Sequence, residues 1–511
     1  MTTPASPTSP TGPDPTPPEH LDVVIVGAGV SGVDMAYRLQ ESHPHRTYAI
    51  LEGREQMGGT WDLFRYPGIR SDSDIFTFGF PFKPWEGDQA LAGGTEIREY
   101  VQEAARDFGI DAHIRYRTQV VSTDWDRAQA RWVLSLDVTD ASGTTRRTLT
   151  AGFVVMASGY YRYDAGYTPD FAGRQDFAGQ VVHPQHWPQD LDVRGKKVVV
   201  IGSGATAVTL VPALAELGAD VTMLQRTPSW IVSIPSKEKL AASLRGKLPA
   251  PAIHRVLRAK NIGERIVTYW FCRTFPTVAR RVLSGAAERI VGQDVVAEHF
   301  TPTYNPWDQR VCAAPSGDFY TALRDGRTSV VTDHIDRFVT GGIQLKGGRT
   351  LEADVIVTAT GLQLQAAGGI EVSVDGRAVD LSQHAIWRGA LVSGLPNLAM
   401  VIGYVNSSWT LRADLTARLV CKVLAHMDAN GLRAVAPVVP AGLGSRPVID
   451  LKSNYVARSI GAFPHAGDRR PWTVPQNYVV DRAINLGGKL EQDLEPYEAT
   501  PARELARSVT G

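Results

Sequence analysis

Short apolar runs that end in glycine-rich turns, each followed by apolar positions at helical spacing, recur along this chain. Residues 21–26 (LDVVIV) form a run suited to a buried parallel strand. Val30, Val33 and Tyr37 then fall at helical spacing until His43-Pro44 stops the helix, and residues 48–51 form a second strand. The order repeats at 196–201 (KKVVVI), followed by a helix to about Leu217 with Gly218 past its end and a strand over 220–224. Pro212 is expected to kink that helix or to be confined to its first turn. Further strands are predicted at 154–157 and 351–357, and Leu411, Leu415, Leu419, Val423 and Met427 mark a later helix that Ser407, Ser408 or Thr410 can cap. Strands alternating with helices predict an α/β fold, and two strand–Gly-turn–helix–strand repeats predict two Rossmann-like dinucleotide-binding domains.

Composition changes the picture at three points. Lys plus Arg and Asp plus Glu number 53 each, so no net field recruits nucleic acid. The cysteines, Cys272, Cys312 and Cys421, lie too far apart for a disulfide framework or a zinc site, so no metal is expected and a reducing, cytoplasmic setting is. Dithiol flavin reductases are also excluded, because the first 271 residues hold no cysteine. Residues 1–18 are mostly Thr, Ser, Pro and Gly, with Asp14 the one charged side chain, a tail predicted to be disordered, and neither a signal peptide nor a spanning apolar run is evident.

The two glycine turns carry the candidate chemistry. In Gly27-Ala28-Gly29-Val30-Ser31-Gly32, Gly27 permits the tight turn, Gly29 lets backbone approach a pyrophosphate, and Gly32 lets helix and strand pack closely. The helix start offers unpaired N–H groups to phosphate. Glu52 ends the next strand, where a carboxylate accepts from a ribose 2′-OH and repels a 2′-phosphate, which selects FAD or NAD. The second turn, Gly202-Ser203-Gly204-Ala205-Thr206-Ala207, has Ala in the third glycine position. Its acidic counterpart is replaced by Gln225-Arg226, and the Arg226 guanidinium can pair bidentately with a 2′-phosphate, which reads as NADPH.

Between the turns, Phe177-Ala178-Gly179-Gln180-Val181-Val182-His183-Pro184-Gln185-His186-Trp187-Pro188 reads F-x-G-x-x-x-H-x-x-x-W-P. Just after the first unit, Gly58-Gly59-Thr60-Trp61-Asp62-Leu63-Phe64-Arg65-Tyr66-Pro67-Gly68-Ile69-Arg70-Ser71-Asp72 fits G-G-x-W-x(4)-[FY]-P-G-x(3)-D at every fixed position. Together these resemble the fingerprints of the Baeyer–Villiger monooxygenases, class B flavoproteins that use FAD and NADPH. Trp187 favours that branch over the N- and S-oxidising flavin monooxygenases.

The resemblance covers nearly everything from His20 to about Tyr478. It implies FAD at the first turn, with Gly58, Gly59, Thr60 and Trp61 beside the flavin. It implies that Arg310, in Trp307-Asp308-Gln309-Arg310, stands over the flavin as the catalytic cation, oriented by Asp72. Phe177, Gly179, His183 and Trp187 make up the fingerprint linker, in which His183 and Trp187 would couple domain motions without proton chemistry. The Ala359-Thr360-Gly361 turn is expected where the chain recrosses the FAD pyrophosphate. The implied reaction inserts one oxygen atom from O₂ beside a ketone carbonyl through a C4a-peroxyflavin, giving an ester or lactone, with sulfide oxygenation as a side activity. The alternatives are an S- or N-monooxygenase and an NADPH oxidase-like redox protein.

The predicted domains are a Pro-rich tail (1–19), an FAD-binding domain in two parts (20–160 and 336–511, with the C-terminal segment), and an NADPH-binding domain (161–335). The last carries a helical insertion at about 236–300. Within 236–281, eleven Lys or Arg face Glu238 and Glu264. This reads first as a solvated basic face near an anionic cofactor and second as a peripheral contact with an anionic membrane. Small ketones or sulfides and O₂ are the expected partners.

Overall fold

The computed structural model describes residues 17–87 and 89–497. Most of the predicted tail therefore lies outside the described residues. Two sheets organise the rest. In the first, strands Leu398–Met400, Gly143–Met156, His20–Val26, Tyr48–Leu51 and Ile114–Arg115 run parallel in that order. Gly143–Met156 also continues outward into the antiparallel strands Arg131–Asp140 and Thr118–Asp126. The second sheet is all parallel, in the order Thr328–Thr332, Asp220–Gln225, Lys197–Ile201, Val355–Thr358, Gln180–Val182. Parallel strands need helices on their faces, and Val30–Ser42 and Ala205–Glu216 supply the first crossover of each sheet. The expected pair of Rossmann-like units is present.

Several expectations need correction. The second unit does not end at 335: Val355–Thr358 pairs with both Lys197–Ile201 and Gln180–Val182, and Phe338, Ile343, Leu345 and Leu351 share one apolar core with Val199 and Ile201. The expected strand over 351–357 is two strands, Thr350–Glu352 and Val355–Thr358, on different sheets. Pro212 sits well inside Ala205–Glu216, where its missing N–H costs one bond and burial of Val208, Leu210, Val211 and Leu214 holds the helix. The C-terminal segment packs into the first unit. Asp481 is buried, accepts from Tyr404 Oη at 2.5 Å, and pairs with the equally buried Arg412 at 2.8 Å.

The insertion folds as helices Lys239–Leu244, Ala250–Thr274, Pro276–Val291 and Gln293–His299. It leaves the second unit in sequence yet anchors on the first. Arg258, buried, donates to the Gly79 carbonyl at 2.7 Å and to those of Phe76 and Thr77 at 3.2 Å each, which end helix Ile75–Phe78. Asn261 Nδ2 donates to Asp74 Oδ1, the cap of the same helix, at 2.8 Å. Part of the basic segment is therefore an internal strap rather than a solvated face.

Beside this anchor, His254 is 2% exposed and pushed down from 6.5 to about 4, by burial first and then by the Arg258 charge. The unfolded chain takes up this proton as pH falls below about 6.5, the folded one only near 4, so stability falls through that window. The loss at its lower end is about 3 kcal/mol. Urea unfolding of His254→Gln between pH 7 and pH 4 is expected to show a flatter loss than the wild type. A slope equal to that of the wild type would assign the acid sensitivity elsewhere.

Candidate active site

One cleft of about 1430 Å³ runs between the sheets and is lined from both. It opens at the C-terminal ends of the parallel strands, where open α/β sheets bind ligands. Its lining includes Gly27, Gly29, Glu52, Gly59, Thr60, Trp61 and Asp72 from the first unit, and Gly202, Gly204, Ala205, Thr206 and Arg226 from the second, with Arg310 and Gly361. Gly32 lies below the first turn.

Both turns are built for close approach. A Cβ on Gly32 would lie 2.0 Å from the Gly27 carbonyl oxygen, and one on Gly27, at φ +102°, would lie 2.8 Å from that of Ala157. Gly29 packs against Gly59, its would-be Cβ 3.6 Å from the Gly59 Cα. Gly202, at φ +133°, is pressed on the Ala359 carbonyl at 2.3 Å, whereas a Cβ on Gly204 would meet no protein atom within 4 Å. That bare backbone at a helix start is the cradle a pyrophosphate requires. Ala205 and Thr206 open the helix behind it. Helix Trp409–Asn430 starts at the same cleft, where Trp409 Nε1 donates to Ser31 Oγ at 2.8 Å. Ser408 is its N-cap by position, but its hydroxyl, like that of Thr410, is buried with no partner among the described residues. The residues present fit a bound dinucleotide.

The Ala359-Thr360-Gly361 turn lies elsewhere than expected. Val355–Thr358 pairs with Lys197–Ile201, so its end emerges beside Gly202, while the chain beside Gly27 is Ala157-Ser158, at the end of Gly143–Met156. Strand adjacency decides which turn a strand end meets, and the A-T-G pattern does not encode adjacency.

Glu52 is buried at the end of Tyr48–Leu51. Its carboxylate accepts from the Ala28 N–H at 2.8 Å and the Arg54 N–H at 3.0 Å. Burial raises its pKa and these N–H groups oppose the rise. Buried Asp62 pairs with Arg54 at 2.6 Å and Arg65 at 2.5 Å, which holds the short helix Thr60–Leu63 and with it Trp61. In the second unit, Gln225 and Arg226 separate. Gln225 is buried and donates to the His299 carbonyl at 2.6 Å and to Thr332 Oγ1 at 2.9 Å, a structural role, while Arg226 is exposed at the cleft.

Arg310 and Asp72 meet in the cleft, Nε to Oδ2 at 3.2 Å, with the guanidinium side chain 30% exposed. Burial works against its charge. The Asp72 carboxylate outweighs that and keeps it cationic, and Tyr455, Tyr160 and Tyr161 lie around it. Sequence reasoning missed these tyrosines. Tyr160 stacks on Trp409 at 4.8 Å between centroids and its hydroxyl lies 3.2 Å from that of Tyr161. Burial pushes Tyr161 up to about 12, and raises Tyr160 and Tyr455 as well. All three are neutral donors at working pH, and adjacent Tyr residues at 160–161 were the only local sign of them.

The linker is packed rather than loose. Phe177 is buried against Phe338, and a Cβ on Gly179 would lie 2.3 Å from the Asp354 carbonyl oxygen. His183 lies across Gly166, with Nε2 3.2 Å from the Gly361 carbonyl oxygen and Nδ1 accepting from the Gln185 N–H. Burial lowers its pKa, so it is neutral and holds the linker to the turn that backs Gly202. Trp187, half-buried, packs on the core of the second unit. The cysteines are free and buried.

Comparison with known proteins agrees with this geometry. Residues 21–254 match the pyridine nucleotide-disulphide oxidoreductase family model, although that stretch holds no cysteine. Solved structures of a steroid monooxygenase bound to NADP and of cyclohexanone monooxygenase share the fold, at TM-scores of 0.68 and 0.69 and identities of 23% and 21%. Each alignment covers 82% of this chain, with 88% and 90% of the respective structure. The FAD-containing monooxygenase EthA of Mycobacterium tuberculosis is 49% identical over 488 residues, 95% of this chain and 99% of the relative. EthA of Mycolicibacterium smegmatis is 46% identical over 478 residues, 93% and 96%. A likeness of that depth over nearly the whole length, on a two-sheet frame whose shared cleft is built for dinucleotides, is decisive: the chain is a flavoprotein monooxygenase and belongs to the family of FAD-containing monooxygenases represented by EthA.

Proposed function

We propose that this enzyme is an NADPH-dependent Baeyer–Villiger monooxygenase. A ketone, O₂, NADPH and a proton give an ester or lactone, NADP⁺ and water, with sulfide oxygenation as a side activity. The observation that carries the reading is the Arg310–Asp72 pair, held in the cleft that both glycine turns line. Bound FAD supplies hydride acceptance from NADPH and activation of O₂. Gly27, Gly29 and Gly32 with Glu52 would hold FAD, and Gly202, Gly204, Ala205, Thr206 and Arg226 would hold NADPH. Arg310 donates hydrogen bonds toward negative charge that develops at the ketone oxygen, and Asp72 sets its direction. Tyr160, Tyr161 and Tyr455 are neutral donors that also narrow the cleft and exclude water. Tests with linear, cyclic and aryl ketones and with sulfides, under O₂, should show ester formation matched to NADPH consumption. Sulfoxide without ester would favour an S-oxygenase, and peroxide in full yield whatever the substrate would favour an oxidase.

Arg226 sets cofactor choice in this reading. Arg226→Ala removes charge-assisted hydrogen bonds to the 2′-phosphate, worth ~1.5–3 kcal/mol. The ratio of kcat/KM for NADPH over NADH should fall about tenfold or more. An unchanged ratio would remove Arg226 from the site.

The insertion supports contact with an anionic membrane. Val256, Val267 and Trp270 are exposed on helix Ala250–Thr274, and Phe275, Val278 and Val282 at and along Pro276–Val291. Trp270 and Phe275 meet edge to face at 5.7 Å, so the two stripes join at the tip, with Arg255 and Arg281 exposed beside them. Apolar side chains interleaved with cations suit a headgroup interface. Among the described residues no helix is long and apolar enough to cross a membrane. The enzyme should sediment with anionic vesicles more than with neutral ones, and Trp270→Ser with Phe275→Ser should abolish the difference. Equal sedimentation with both vesicles would refute the contact.

A further inference from the structure

We propose that His43, His45 and Asp428 form a binding site for a transition-metal dication of the zinc class, at the end of the first unit remote from the cleft. Helices Val30–Ser42 and Trp409–Asn430 both begin at the cleft and pack against each other. Their C-terminal ends therefore come together, with His43 capping the first and Asp428 in the last turn of the second. One donor atom from each of His43, His45 and Asp428 lies within 4.8 Å of the other two. The first helix puts the cluster roughly 20 Å from the cleft, at 1.5 Å per residue.

The orientation of His43 is the second observation. The side chain is buried, and Nε2 lies 2.9 Å from the Cys421 carbonyl oxygen. A carbonyl oxygen only accepts, so Nε2 is the donor there and Nδ1 is the atom turned to Asp428. Nδ1 lies 3.7 Å from Asp428 Oδ2, too far for a hydrogen bond and with room for a shared cation. A carbonyl gripping the far N–H is also how metal-ligating histidines are held in one orientation.

Arg46 pairs with Oδ1 of Asp428, so Oδ2 stays turned to His43, and Arg46 is also 3.9 Å from Asp22. Arg131 and Arg433 line the neighbouring depression with Asp22 and Asp428. The carbonyl ends of both helices direct negative potential at the cluster. Tetrahedral coordination with bonds of ~2.0–2.1 Å sets donors about 3.3 Å apart, so the cluster must close by about 1.5 Å. His45 and Asp428 are exposed and can turn to do so, with water in the fourth place. Two imidazoles and one carboxylate suit zinc, nickel or copper better than magnesium or calcium. The metal would clamp the far ends of the two helices whose starts line the cleft.

The FAD-loaded full-length enzyme, stripped with a chelator, is dialysed against zinc sulfate in the micromolar range and its metal content measured. One zinc per chain is expected. His45→Ala and Asp428→Asn should each weaken binding about tenfold or more, while FAD content and NADPH oxidation stay at wild-type levels. His45 is exposed, so its variant tests the site even if Asp428→Asn folds poorly. Uptake well below one zinc by the wild type, or unchanged affinity in His45→Ala, overturns the proposal.

Discussion

Arg310→Ala is expected to form ester from the best ketone at about a hundredth to a thousandth of the wild-type rate, while FAD remains bound. The loss corresponds to one preorganised donor removed from a developing oxyanion, ~3–4 kcal/mol. Only a permanently charged group can stand in the cleft for this purpose, and Arg stays charged at any working pH. The Asp72 carboxylate holds it so against the cost of burial. FAD should stay because the glycine turn of the first sheet does not touch Arg310. Flavin absorbance reports retention, and product assays with ketone and sulfide report the chemistry. Ester at more than about a tenth of the wild-type rate would mean that another group supplies the stabilisation.

Gly32→Ala is expected to yield protein almost free of FAD. The added methyl carbon would lie 2.0 Å from the Gly27 carbonyl oxygen, so the turn that approaches the pyrophosphate must move. Overpacking of this kind costs ~1–3 kcal/mol or more, and here the strain falls on the binding turn itself. Gly204→Ala supplies the contrast. Its methyl would meet no protein atom within 4 Å, so the fold and the FAD content should survive while NADPH binding weakens. The ratio of flavin to protein absorbance separates the two variants. Wild-type FAD content in Gly32→Ala would remove the close-packing argument for that glycine.

Much of the frame was legible in the chain. The run before Gly27 and the run before Gly202 are continuous and apolar because both faces of a parallel strand are covered, and they became His20–Val26 and Lys197–Ile201. Gly218, expected past the end of a helix, has φ +88° there, a position that favours glycine. The basic, aromatic stretch after Ser236 did become helical. Asp72 and Arg310 entered through a family likeness rather than through spacing, since nothing local to either residue names the other.

What the sequence by itself determined was local: strand and helix periods, turns where only glycine fits, the cofactor-sized architecture these imply, and a cysteine distribution incompatible with dithiol chemistry. What tertiary structure alone decided was adjacency. It set Ala359 against Gly202 rather than Gly27, strapped the insertion to helix Ile75–Phe78 through Arg258, closed tyrosines from distant segments around Arg310, and brought His43 to Asp428. The physical reason is the range of the forces that leave a pattern. Hydrophobic burial and backbone sterics repeat every two to four residues and so write themselves along the chain. A buried ion pair or a shared cleft needs only that two side chains end near each other, and no period in the sequence records which two.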